Sequence, residues 1–146
     1  MDSNTQSRIS SLGSQAFQAN CRITDLKREL ARQKERLANT VEASRLHKWA
    51  SEQFGLDNQA NYVSASELAA LSNVKLAQRY SAWLYGLLEG TSAEHSKESV
   101  LVIDSELDNE TATLEQKVLS LKSEIARLEG QVSSLNSQIN ILAAGA

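Results

Sequence analysis

The chain has no proline in its 146 residues, so it lacks the residue that most sharply interrupts helices and marks long loops. Long unbroken helices are therefore permitted almost everywhere, and Gly13, Gly55, Gly86, Gly90, Gly130 and Gly145 are the candidate breaks. A single cysteine, Cys21, excludes an intramolecular disulfide and fits a reducing compartment. Only two Phe, three Tyr and two Trp supply aromatic bulk although 41% of the chain is hydrophobic, which suits Leu, Ile, Val and Ala seams between helices better than a thick globular core.

Long apolar runs are missing too. The longest aliphatic stretch is Val100, Leu101, Val102 and Ile103, far short of the roughly 20 residues a membrane-spanning helix needs. The polar stretch from Met1 to Arg8 has no signal-peptide core. A cytoplasmic or virion protein is expected, neither secreted by a signal peptide nor transmembrane.

Nor is there an excess of positive charge. The net charge is -3 and the pI about 5.4, so the chain as a whole has no field to draw in nucleic acid or an anionic membrane. The average hides an asymmetry. From Arg22 to Lys48 eight basic residues face four acidic ones, while from Glu89 to Glu129 ten acidic residues face four basic ones. Two oppositely charged segments in one chain point first to helix faces that pair.

What the sequence does contain is periodicity. Leu107, Thr111, Leu114, Val118, Leu121, Ile125, Leu128, Val132, Leu135, Ile139 and Leu142 follow alternating steps of four and three. That is a heptad seam with Leu at every d position and mostly Val or Ile at a, the pattern of a coiled coil. A weaker seam runs through Ile9, Leu12, Ala16, Ala19, Ile23, Leu26 and Leu30, meets Gln33 at a d position and resumes at Leu37. Beyond it Val41, Leu46, Trp49 and Phe54 drift off the frame. Gly55 with Asp57, Asn58 and Gln59 then marks a helix end.

Between the seams, Ser64 and Glu67 form a capping box flanked by Val63 and Leu68 as a hydrophobic staple. The helix they open carries Leu68, Leu71, Val74, Ala77, Tyr80, Trp83, Leu84, Leu87 and Leu88 as a wide stripe that must be covered on more than one side. Gly90 closes it, and Thr91 with Glu94 opens the next.

The expected fold is all-α: an elongated helical hairpin or three-helix arrangement with long coiled-coil helices. Residues 1–55 form a basic N-terminal helix, 56–90 a hinge and short middle helix, and 91–146 the C-terminal coiled-coil helix. At about 1.5 Å per residue the helices are about 75, 37 and 75 Å long. With two sharp hinges the third runs parallel to the first, and its last half projects as an uncovered seam. That seam, Leu107, Leu114, Val118, Leu121, Ile125, Leu128, Val132, Leu135, Ile139 and Leu142, is the expected oligomerisation surface.

The flanking charges bear on the pairing. In a parallel in-register homo-oligomer Glu110 meets Glu115, Lys117 meets Lys122 and Glu124 meets Glu129, all repulsive. They favour an antiparallel arrangement, a shifted register or a different helix, with the basic first segment a candidate. Like-charge pairs cost only tenths of a kcal/mol, against roughly 1.5–3 kcal/mol for burying a Leu or Ile.

Chemistry-bearing constellations are few. His47 and His95 stand apart from other ligands and read as solvated helix residues. Asp104, Glu106, Asp108 and Glu110 alternate in a way that scatters them around a helix. Cys21 falls at an outward f position. The glycines match no phosphate-binding loop. Lys27, Arg28, Arg32, Lys34 and Arg36 are interleaved with Asp25, Glu29 and Glu35, as in an ion-paired helix flank. Ser66–Leu84 has a superficial helix-turn-helix look but lacks the turn glycine and places Arg79 where an apolar core residue belongs. No catalytic, cofactor-binding or metal-binding residue is expected. Tyr80, Trp83 and Tyr85 form a candidate docking group, since Trp and Tyr anchor many interfaces.

The expected function is non-enzymatic: a structural or adaptor protein that oligomerises within a larger assembly. A phage virion component of tail, neck or fibre attachment comes first, and a cytoskeletal or division-complex subunit reads the same way. Partners are the chain itself or other coiled-coil and structural proteins, with no membrane, nucleic acid or small-molecule substrate. The alternative is a nucleic-acid-associated regulator dimerised by a coiled coil.

Overall fold

The structure is a computed structural model. It describes the backbone of residues 2–53, 58–71, 74–88 and 93–145, and the side chains of 2–52, 63–71, 74–86 and 99–145. Among the described residues the fold is all-α, with four helices and no strand: α1 (Ser3–Gln53), α2 (Asn58–Ala69), α3 (Lys75–Leu88) and α4 (Ala93–Ala144). At the start of α1, Asp2 Oδ1 accepts the Thr5 N–H at 2.6 Å, an N-cap that satisfies one of the orphan donors of the first turn. That hydrogen bond holds the Asp2 carboxyl below the usual range.

Several local expectations are corrected. The middle segment is two helices rather than one. Ser64 is no cap: α2 already runs through it, and its side chain is buried. The first of the two helices ends at Ala69 and the second begins at Lys75. Gly13, Gly86 and Gly130 lie inside helices rather than at breaks. Gly55, Asp57, Gly90 and Thr91, and the side chains of Phe54, Leu87, Leu88, Glu94 and His95, lie outside the described residues.

The chain divides into two compact units, Met1–Arg32 with Lys117–Ala146, and Gln33–Gln116. In the first, Ala16, Ala19, Ile23 and Leu26 of α1 and Val118, Ile125, Leu128 and Leu135 of α4 are buried. Ile23, Leu26, Ile125 and Leu128 make its core cluster, with Leu30, Leu121 and Val132 packed against it. The last part of α4 is thus covered by the first part of α1, and the uncovered projection expected from the sequence does not occur.

In the second unit Ala43, Leu46 and Ala50 of α1, Ala65 and Leu68 of α2, Ala77, Tyr80 and Leu84 of α3, and Ile103 and Leu107 of α4 build one core, with Val74 from the α2–α3 connector. Four fully buried alanines leave room for the two large side chains, Tyr80 and Leu84, that α3 inserts. A buried hydrogen bond from Ser81 Oγ to the Ala65 carbonyl, 2.6 Å, ties α3 to α2. Here α4 runs antiparallel to α1: Arg36 meets Glu110, while the later His47 meets the earlier Asp104. The parallel direction expected above fails: it assumed a single middle helix, and the middle segment is two.

Candidate functional site

Heptad geometry explains the first unit. With Ile125 at a, Glu124 is a g residue and Glu129 an e residue; with Ile23 at a, Arg22 is g and Lys27 is e. Arg22 Nη2 lies 3.8 Å from Glu124 Oε1, and Lys27 Nζ lies 3.3 Å from Glu129 Oε1. Like positions meet, g with g and e with e, which occurs when two helices pair antiparallel; in a parallel pair g meets e. Two cations of the basic first segment are therefore matched to two carboxylates of the acidic segment within the chain. These pairs are more than a third exposed and contribute roughly 0–1 kcal/mol each, so they select direction and register while the buried Ile and Leu residues supply most of the stability.

Of the expected oligomerisation seam, Leu107 sits in the core of the second unit, and Leu114, Val118, Ile125, Leu128 and Leu135 are buried. Leu121, Val132, Ile139 and Leu142 are half-buried. Large apolar side chains stand outside it in the first unit: Phe17 is 70%, Leu119 55% and Ile141 71% exposed. Of the candidate docking group, Tyr80 is buried in the core, and Trp83 and Tyr85 are partly buried against it. Tyr85 Oη lies 2.8 Å from Ser66 Oγ, linking α3 to α2.

The second unit holds a polar cluster that sequence reasoning missed. His47, expected to be solvated, is fully buried. Its frame position shows why: Gln33, Thr40 and His47 continue the d positions of α1 at intervals of seven, and all three are buried. The seam runs on through polar side chains where an apolar pattern is lost. His47 Nε2 lies 2.6 Å from Asp104 Oδ1, but neither atom has a well-aligned hydrogen bond. The Tyr80 ring meets the imidazole edge-on, centroids 4.1 Å apart, and Trp83 lies 5.0 Å beyond Tyr80. His47 Nδ1, Tyr80 Oη and Trp83 Nε1 are likewise buried without a hydrogen bond.

Burial dominates the titration of this cluster. It pushes the His47 imidazole below the usual histidine range, against the pull of Asp104 and the Val100 carbonyl in the other direction. Burial also pushes the Tyr80 phenol up to about 12, and the neighbouring Ser51 hydroxyl offsets only part of this. A Ser, a His and an Asp are close together here, but the Ser51 hydroxyl donates to the His47 backbone carbonyl at 2.8 Å. That arrangement gives the imidazole no proton to take from a nucleophile.

The alternating carboxylates of α4 point to different partners, as their spacing implies. Asp104 faces His47, Glu106 pairs with Arg79 of α3 at 2.9 Å and Glu110 with Arg36 of α1 at 3.2 Å. The last two pairs line a cleft of about 550 Å³ together with Thr40, Lys75, Asn109 and Thr113. Among the described residues no three His, Cys, Asp or Glu side chains converge as metal ligands, and Cys21 is exposed. Although α2 and α3 are two short helices with a short connector, Arg79 is engaged by Glu106, which leaves Lys75 as the other cation of α3. No helix among the described residues is long and apolar enough to cross a membrane. No known protein family, curated protein or solved structure matches this chain.

Proposed function

We propose that this chain is a non-enzymatic assembly protein in which α1 and α4 form an antiparallel coiled coil, and in which the outward faces of these helices bind further copies of the chain. The observation that carries the reading is the charge-matched pairing of Arg22 with Glu124 and Lys27 with Glu129 around Ile23, Leu26, Ile125 and Leu128. It spends the α4 seam inside the chain and leaves Phe17, Leu119 and Ile141 as the apolar groups a second copy would bury. A virion component of the tail, neck or fibre-attachment kind is the assembly proposed first, since a small chain used in many copies suits it.

Light scattering across a wide concentration range tests the proposal. A mass that is a multiple of 16.0 kDa is expected, falling to the monomer in the Leu119→Glu, Ile141→Glu double variant. A wild-type chain that stays monomeric at high concentration overturns the reading. The rival reading, a nucleic-acid-associated regulator, requires free cations, whereas Arg22, Lys27, Arg32 and Arg36 each contact a carboxylate. Retention on a duplex-DNA column at low salt, lost as salt rises, would revive it.

A further inference from the structure

We propose that the second unit carries an acid-triggered latch, in which protonation of the His47 imidazole breaks the packing of α1, α3 and α4 around it. The inference rests on the placement of the ring and is independent of the assembly reading. His47 is fully buried at a d position of α1. Its neighbours come from three helices: Asp104 and the Val100 carbonyl from α4, Tyr80 edge-on from α3, and Lys48 and Ser51 from α1 itself. The acidic group of the described part of α2, Glu67, acts on Arg45 instead.

A neutral imidazole needs one donor and one acceptor satisfied, whereas an imidazolium carries two N–H donors. In the closed unit both ring nitrogens are buried and neither makes a well-aligned hydrogen bond, so the added proton would place a charge in the core away from water. The adjacent Lys48 opposes the added charge. Asp104 and the Val100 carbonyl favour it, but the cost of burying the charged ring outweighs them. Outside the core the imidazolium is solvated on both sides. Opening therefore relieves it, and uncovers Tyr80, Leu84, Ile103 and Leu107.

The sign follows from linkage. A histidine held neutral when folded stabilises the closed unit above its ordinary pKa of about 6.5, and that stability is lost as the pH falls through and below this value. If the closed form takes up no proton, the opening constant rises on the order of thirtyfold between pH 7.5 and 5.0, which is the upper limit of the effect.

Urea unfolding of the full chain at these two pH values, followed by tryptophan fluorescence, tests it; both tryptophans, Trp49 and Trp83, lie in this unit. Wild type and His95→Gln should lose urea resistance on acidification, and His47→Gln should lose little. A wild-type chain equally or more resistant at pH 5.0, or a His47→Gln variant with the full loss, overturns the proposal. Should His47→Gln fail to fold, the one imidazole left in His95→Gln is His47, and its proton NMR titration decides the matter. A midpoint below 6.5 supports the latch, and one at or above 6.5 overturns it.

Discussion

At the scale of single residues, burial is decided by position in the heptad frame more than by side-chain type. Gln33, Thr40 and His47 are polar and buried, while Phe17 and Val41 are apolar and exposed. Tyr80 gives a direct readout: because its phenol is held neutral to about pH 12, the folded state should lose stability as pH rises from 10 toward 12, by on the order of 2 kcal/mol. Absorbance at 295 nm should show one of the three tyrosines ionising late, and Tyr80→Phe should remove that step. Gly13 and Gly130 test helix propensity free of packing, since a Cβ added at either meets nothing within 4 Å. Gly13→Ala and Gly130→Ala should each stabilise the chain by about 0.5–1 kcal/mol, read as a higher urea midpoint.

At the scale of elements, the seam and its flanks play separate parts. Leu26→Ala, at a two-helix contact that can partly close up, should cost about 2–3 kcal/mol. Leu107→Ala, enclosed in the four-helix core, should cost about 3–5 kcal/mol. Glu124→Gln should cost less than about 1 kcal/mol, because its partnership with Arg22 is exposed. Chemical denaturation of the three variants ranks them, and a Glu124→Gln cost as large as that of Leu26→Ala would refute this division of labour. A chain lacking 117–146 leaves Ile23 and Leu26 without Ile125 and Leu128. Far-UV circular dichroism should then show more helix lost than the deleted segment carries, since the first part of α1 frays once its apolar stripe is uncovered.

At the scale of the whole molecule, much was legible in one dimension. Periods of four and three settled the all-α class and placed the ends of α1 and α4 within a few residues, because no proline intervenes and each seam has one preferred face. Charge patterning likewise indicated that the basic segment was a partner for the acidic one, since g and e residues are readable once a and d are set. The tertiary structure decided three things. It divided the middle segment into α2 and α3, because an apolar stripe alone does not say where one helix stops, whereas the hydrogen bond from Ser81 to Ala65 ties two separate helices together. It put His47 inside, because an imidazole can face water or a core, and only the arrival of Asp104 and Tyr80 determines which. It covered the seam of α4 with α1 of the same chain, because a heptad pattern specifies the face of a contact but not whose helix fills it.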